Sequence, residues 1–214
     1  MSVLVLVEHT NGVFKKKSLE AIQYGAHIAK ETGVSVTAVA MGNCGNDAMQ
    51  ALGAYGAAKV LHTTDNRLDN FNSNAYTRVM LAAAQKESAK VIVGLHDTTG
   101  KAVTPRLAAR LKAGLVAGAV GYPDLSKGFV VKKNVFSGKA FAYVNITSDI
   151  KVINLMPNTF PLVKGEGIAA VENLDVVFEA ADFSIQVTAV EKARLGTLIR
   201  CRTRSIGRAR NEGS

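Results

Sequence analysis

The first 111 residues alternate between short, almost continuous apolar runs and amphipathic stretches. The runs predict four strands, and the first of them is apolar at nearly every position, as expected for a strand buried on both faces of a parallel sheet. These strands are predicted at residues 2–7, 34–41, 60–63 and 91–95. Each run is followed by a stretch with a different spacing, so strands and helices are expected to alternate.

Between these strands, apolar residues recur at the spacing of a helix. From Ser18, whose side chain is a suitable N-cap, apolar residues recur at helical spacing until Gly33, which is suited to end a helix. The other helices are predicted at residues 46–52, at 74–89 and from the segment 96–101 to about Leu111. Alternating strands and helices predict an α/β fold: a Rossmann-like parallel sheet with right-handed crossovers and helices on both faces.

The pattern changes after residue 123 and becomes rich in β-forming residues. Three runs, 129–136, 139–147 and 151–156, are separated by short turn sequences, which is typical of antiparallel hairpins. Two more strands are predicted at 174–178 and 183–190. We therefore predict one domain over residues 1–193, an α/β sheet with an antiparallel β extension.

Residues 194–214 are predicted to form a disordered, arginine-rich tail. Residues 192–214 hold seven basic residues and one acidic residue, so they account for +6 of the net charge of +9. The rest of the chain is nearly balanced. Three readings remain open: a disordered end, an end translated out of frame, and a basic arm for RNA or an acidic partner.

Composition narrows the class of protein further. Trp is absent and aromatic residues make up 6%, which disfavours stacking platforms for nucleic acids, and no nucleic-acid partner is expected. No apolar run reaches 18 residues, so no membrane insertion is expected. No leader precedes the first strand, which predicts a cytoplasmic protein. Cys44 and Cys201 lack metal-ligand spacing and are expected to be free thiols, so no metal is predicted.

Candidate chemistry lies where the winding of an open parallel sheet reverses, because ligands bind there beyond the carboxyl ends of the strands. If the first and fourth strands flank that point, residues 8–11 and 96–101 face the crevice. The second segment is the better anion site, since it combines hydroxyls, a glycine and a lysine with a helix N-terminus. The candidate residues are Thr98, Thr99, Gly100 and Lys101. Alternatively, Thr98 or Thr99 is only an N-cap.

Motifs that would indicate catalysis are missing from the sequence. There is no glycine-rich dinucleotide fingerprint after the first strand, no phosphate-binding loop that ends in Gly-Lys-Ser/Thr, and no nucleophile elbow. The four histidines are scattered, and no pair of carboxylates is placed for general acid–base chemistry. The sequence therefore predicts no catalytic residues and no enzyme that acts alone.

Four segments, in order, resemble one known family. They are the strand 2–7 ending in Glu8-His9, the helix 100–111 with its Pro-Arg-Leu-Ala-Ala-Arg-Leu, the hairpin 137–140 and the segment 156–160. Together they resemble electron transfer flavoprotein alpha subunits over residues 1–193. The resemblance implies an adenine-nucleotide-hydrolase-like fold and a heterodimer with a beta subunit. It also implies electron transfer from acyl-CoA or other dehydrogenases to an acceptor through FAD.

In that family the main FAD site lies in a C-terminal domain, which begins after the equivalent of residues 191–193. Here the arginine-rich stretch follows instead, so the resemblance implies a truncated scaffold half with no FAD ligand of its own. We therefore expect colourless protein. The alternative function is a stand-alone adenine-nucleotide-binding module of the stress-protein type that uses the loop 96–101.

Overall fold

A nine-stranded sheet organises the protein, as seen in a computed structural model that describes residues 2–185 and residue 187. The strands are β1 (Ser2–Leu6), β2 (His9–Thr10), β3 (Val13–Phe14), β4 (Ser35–Met41), β5 (Lys59–Thr63), β6 (Val91–Leu95), β7 (Gly114–Ala119), β8 (Val130–Val135), β9 (Ala140–Asn145), β10 (Lys151–Leu155) and β11 (Ala170–Asn173). The α-helices are α1 (Lys16–Thr32), α2 (Asn46–Gln50), α3 (Ser73–Lys86) and α4 (Thr98–Leu111). Short 3₁₀ turns lie at Ala51–Tyr55, Asn66–Leu68, Phe136–Gly138 and Ala180–Phe183.

The strand order in the large sheet is β11-β5-β4-β1-β6-β10-β7-β8-β9. All neighbours are parallel except β7–β8 and β8–β9. Alternate residues of β1 point to opposite faces: Val3 and Val5 pack with α1, whereas Leu4 and Leu6 pack with α3 and α4. The predicted Rossmann-like sheet with helices on both faces and an antiparallel extension is confirmed.

Several strands differ from the prediction in their pairing, their position or their existence. The run 151–156 is not part of a hairpin, because β10 inserts between β6 and β7 and is parallel to both. Strand β7 was not predicted at all. The strand predicted at 174–178 is irregular, and β11 precedes it. In the segment 183–190, which was predicted to be a strand, Phe183 ends a 3₁₀ turn and residues 184, 185 and 187 are not in a strand. Residues 186 and 188–190 lie outside the described part.

Helix α1 begins three residues earlier than the sequence predicts. Its N-cap is Lys15 rather than Ser18. The Ser18 hydroxyl instead fastens the helix to the end of β1, since its Oγ accepts a hydrogen bond from the backbone N–H of Glu8 at 2.9 Å and donates one to the Glu8 carbonyl at 3.1 Å.

A long connection, residues 156–169, carries the chain from β10 to the far edge strand β11. The Glu20 carboxylate of α1 accepts three backbone N–H groups of this connection, from Asn158 (2.8 Å), Thr159 (2.7 Å) and Phe160 (2.8 Å). The predicted boundary between a domain 1–193 and a tail 194–214 falls outside the described residues and stays a prediction. Within the described part, no helix is both long and apolar enough to cross a membrane.

Candidate functional site

The winding of the sheet reverses between β1 and β6, which are hydrogen-bonded neighbours. The crevice at their carboxyl ends therefore lies where the sequence analysis placed it, with residues 8–11 on one side and 96–101 on the other. Of the four candidate anion ligands, Thr98 and Lys101 are exposed, Thr99 is half-buried and Gly100 is buried. All four belong to the first turn of α4.

Gly100 is required by close packing of α4 against the end of β6. A Cβ atom at this position would lie 1.7 Å from the Leu95 carbonyl oxygen, a distance that no side chain can occupy. The helix is capped by Asp97, whose Oδ1 accepts the Gly100 N–H at 3.0 Å. The cap is thus Asp97 rather than Thr98 or Thr99, and an internal carboxylate already satisfies one free N–H of this helix start.

The charge of Asp97 is balanced by Lys17 from the first turn of α1. The Lys17 ammonium contacts Asp97 Oδ2 and lies 3.0 Å from Glu8 Oε2, and Lys15 lies 3.2 Å from the same Glu8 oxygen. Burial alone would raise the pKa of Asp97, but the Gly100 N–H and the Lys17 ammonium lower it below its usual value. Burial would likewise lower the pKa of Lys17, but Asp97 and Glu8 raise it. This ion-paired cluster lies at the switch point, beside a cleft of about 190 Å³ whose lining includes Glu8, Lys15 and Thr99.

His96 lies next to this cluster at the end of β6. Burial lowers its pKa, and the nearby ammonium groups of Lys101 and Lys133 lower it further, against a weaker opposite effect of Asp97. A neutral imidazole at neutral pH follows from this environment. It adds no positive charge that could hold an anion.

A cleft of about 630 Å³ opens beyond the carboxyl ends of β1 and β4. Its wall includes the hairpin β2–β3, whose turn residues Asn11 and Gly12 have φ of 51° and 78°. His9 fixes this hairpin, since its Nε2 lies 2.8 Å from the Met41 carbonyl oxygen. Asp69 lies at the floor, where its Oδ1 accepts the backbone N–H of Asn43 at 2.7 Å.

Sequence reasoning placed residues 9–11 at the crevice but did not bring in Asn43 or Asp69. Asp69 follows the 3₁₀ turn Asn66–Leu68 in a connection without periodicity. The only sequence signal for this part of the cleft was Gly42, which directly follows the second predicted strand. Its φ of 85° favours glycine and turns the chain at this point.

The side chains around these clefts do not fit the pyrophosphate of a dinucleotide or flavin. The clefts are lined by the carboxylates of Asp69 and Glu8, which is an unfavourable lining for phosphate although Lys15 and Lys17 pair with Glu8, and the Asp97 carboxylate already accepts one N–H of the α4 N-terminus. The described residues also contain no cluster of three His, Cys, Asp or Glu side chains that could hold a metal ion. The arrangement is that of an ordered structural junction.

Fold and crevice together define a Rossmann-like α/β domain with an ion-paired cluster of Glu8, Lys15, Lys17 and Asp97 at its switch point. The model of the electron transfer flavoprotein domain matches residues 3–179, which includes all of the large sheet except Ser2. The chain belongs to this family. The resemblance to the N-terminal domain of the alpha subunits, predicted from four sequence segments, is confirmed.

Individual relatives agree with this assignment. The chain is 30% identical over 176 residues to the electron transfer flavoprotein subunit alpha of Bacillus subtilis (strain 168), covering 81% of this chain and 54% of that protein. It is 26% identical over 178 residues to that of Syntrophomonas wolfei, covering 83% and 55%. It is 26% identical over 161 residues to the acryloyl-CoA reductase electron transfer subunit beta of Anaerotignum propionicum, covering 75% and 40%. The chain thus spans about half the length of the curated relatives it matches.

Proposed function

We propose that this electron transfer flavoprotein subunit acts as the scaffold half of the carrier and packs on a beta subunit. In the assembled carrier, electrons pass from acyl-CoA or other dehydrogenases to an acceptor through FAD. The observation that carries this proposal is the extent of the family match, which runs from residue 3 to residue 179 and includes all of the large sheet except Ser2.

The polar side chains at the switch point support a structural role rather than catalysis. Glu8, Lys17 and Asp97 are engaged with one another, and Asp97 also caps α4. A general acid or base needs a perturbed group within reach of a substrate. Here Lys17 and Asp97, whose pKa values are shifted, serve the junction between β1, α1 and α4. We therefore propose that the chain is an electron-carrier subunit and not an enzyme by itself.

We propose that FAD binds outside the described residues. The carboxylates at the switch point support this, because a flavin dinucleotide would bring a pyrophosphate to the α4 N-terminus, where Asp97 already lies. The anion site predicted at Thr98, Thr99, Gly100 and Lys101 stays a prediction, and the same carboxylate disfavours it.

The test is co-expression of this chain with an affinity-tagged beta subunit from the same organism. The proposal predicts that the two chains copurify in equal amounts and that this chain, purified alone, is colourless. Failure to copurify would contradict the scaffold role. Visible flavin absorbance of the chain alone would contradict the placement of FAD.

The second candidate function is a stand-alone adenine-nucleotide-binding module, favoured only by the cleft of about 630 Å³. Calorimetric titration with AMP and with ATP separates the two functions. The scaffold role predicts no heat of binding, since Asp69 in the cleft and Glu8 beside it oppose a phosphate. Saturable heat with either nucleotide would favour the module instead.

A further inference from the structure

Among the described residues, none supplies a counterion for the Asp69 carboxylate in the crevice at the carboxyl ends of β1 and β4. The two neighbouring carboxylates, of Glu8 and Asp97, are paired with lysines of α1 and its N-cap. By contrast, no ammonium, imidazole or guanidinium nitrogen of residues 2–185 or 187 lies within 4 Å of an Asp69 oxygen. Asp69 lines both clefts, and no lysine or arginine of the described chain lines the cleft of about 630 Å³. This part of the crevice is therefore complementary to a cation.

The Asp69 carboxylate is held in place by the backbone around it. Its Oδ1 accepts the Asn43 N–H at 2.7 Å, and its own N–H donates to the Asn66 carbonyl at 3.2 Å. A Cβ atom at Gly42 would lie 2.8 Å from the same Oδ1, so the absence of a side chain there makes room for the carboxylate. The other oxygen, Oδ2, accepts no hydrogen bond from the described residues. A fixed carboxylate with one oxygen left over is preorganised to bind a donor.

Two aromatic rings line the smaller cleft together with Asp69. The rings of Phe71 and Tyr76 lie 5.1 Å apart, edge to face, and the Tyr76 hydroxyl donates to the Leu68 carbonyl at 3.0 Å. Phe71 is exposed. Burial raises the pKa of Tyr76 to about 12, and the negative charges of Glu8 and Asp69 act in the same direction. Aromatic faces and negative charge thus coincide here, and both attract an organic cation.

The protein already combines a carboxylate, aromatic rings and a guanidinium at a neighbouring place. Arg67 pairs with Asp65 through two nitrogens, with Nη2 at 2.7 Å from Oδ2 and Nε at 3.0 Å from Oδ1. The same guanidinium lies 4.2 Å from the centre of the Phe183 ring and 5.5 Å from that of Phe178. The crevice offers the same carboxylate and aromatic surface, but the described residues place no guanidinium there.

A guanidinium fits this site better than a metal ion or an ammonium group. A hard cation such as Ca²⁺ takes about six to eight oxygen ligands, and Asp69 is the only carboxylate among the described residues that line the larger cleft. A guanidinium is planar and less strongly hydrated than an ammonium, so it pairs with a carboxylate and stacks on an aromatic ring at the same time. We propose that the crevice binds a guanidinium group, which pairs with Asp69 and packs against the ring of Phe71.

Two sources can supply this guanidinium: a free small molecule, or an arginine of residues 192–214 of the same chain. Ile185 and Val187 line a cleft together with Phe71, and the Asn72 side-chain amide donates to the Ile185 carbonyl at 2.8 Å. Arg194 follows Val187 by seven residues, which span at most about 25 Å. The inference goes beyond the proposed function, since it requires no beta subunit.

Titration of the ¹⁵N-labelled full chain with butylguanidinium, and with its uncharged analogue butylurea, tests the site by NMR. The amide signals of Asn43 and Phe71 should shift saturably with butylguanidinium and not with butylurea. Asp69→Asn keeps an oxygen for the Asn43 N–H and should weaken binding at least about tenfold. Phe71→Leu should weaken it about threefold. Asp149→Asn is the matched control and should bind like wild type, because Asp149 is exposed and lies before β10, at the opposite end of the parallel strands.

A second full-length variant, with the six arginines of residues 192–214 replaced by glutamine, distinguishes the two sources. Equal affinity of wild type and this variant for butylguanidinium would assign the site to a free small molecule. Tighter binding by the variant, with its Asn43 and Phe71 signals already displaced from those of wild type, would assign it to an arginine of the same chain. No saturable shift in either protein, equal shifts with butylurea, or unchanged affinity in Asp69→Asn would overturn the site. None of these results bears on binding of the beta subunit.

Discussion

The buried carboxylate of Glu20 is predicted to hold the connection between β10 and β11 in place. Glu20 is only 2% exposed, and its two oxygens accept the backbone N–H groups of three successive residues of the connection, 158–160. The aromatic ring of Phe160, at the end of this turn, lies 5.2 Å from that of Tyr24 and 4.6 Å from that of Tyr122. The perturbation is Glu20→Ala, which removes the acceptor and leaves three donors behind.

The expected loss of stability follows from the number of donors and their exposure. A hydrogen bond to a charged group contributes about 1.5–3 kcal/mol, and a buried donor left without a partner costs about 1–3 kcal/mol. Asn158 and Thr159 are exposed, so water can replace the carboxylate there, whereas Phe160 is half-buried. The three contributions are therefore not summed, and we expect Glu20→Ala to lower the free energy of unfolding by about 3 kcal/mol. Glu20→Gln keeps one acceptor oxygen and should lower it by less.

Urea denaturation measures this change, with Glu31→Gln as the matched control. Glu31 lies on the same helix but is exposed, with only a long contact of 3.8 Å to His27, so its substitution should change the free energy of unfolding by less than about 0.5 kcal/mol. Amide exchange should accelerate at residues 158–160 in Glu20→Ala. Unchanged stability together with unchanged exchange at these amides would refute the reasoning.

Three further predictions concern the packing around the crevice and the connection. Gly100→Ala places a Cβ against the β6 backbone and should lower the free energy of unfolding by about 3 kcal/mol or more in urea denaturation; a loss below 1 kcal/mol would contradict the close approach. Because the pKa of Asp97 is lowered in the folded state, its ion pair with Lys17 stabilises the protein above the unfolded pKa of about 3.9, and this stability is lost as pH falls through the folded pKa. The difference in unfolding free energy between wild type and Asp97→Asn should therefore shrink as pH falls from about 5 toward 3, and a constant difference would count against this. Gly53→Ala would bring a Cβ to 2.4 Å from the Ala169 nitrogen, so it should lower the melting temperature, and an unchanged value would disprove this contact.

The parallel half of the fold could be predicted because its strands are buried on both faces. Strands β1, β4 and β6 are nearly continuous apolar runs, and this signal is local. Strand β7 is Gly-Leu-Val-Ala-Gly-Ala, whose small residues give neither alternation nor a strong apolar run. The pairing of β10 was wrong because a short turn favours a hairpin locally, whereas its place between β6 and β7 is decided by long-range packing.

The candidate site shows the same division between local and distant information. The rule for open parallel sheets located residues 96–101 at the switch point, because it needs only the order of the strands. It did not predict that Asp97 caps α4 or that Lys17, 80 residues away, neutralises it. The hydrogen bond from the Asn158 N–H to the Glu20 carboxylate joins residues 138 positions apart and leaves no periodic signal in the sequence. Contacts between distant side chains decide which charged groups in a crevice of this kind are already paired.

Sedimentation velocity of the two purified subunits, alone and mixed, tests whether the chain is the scaffold half of an electron transfer flavoprotein that binds a beta subunit. If it is, the mixture should sediment as one faster species whose mass equals one copy of each subunit. Two species that keep the coefficients of the separate subunits at every concentration would contradict it.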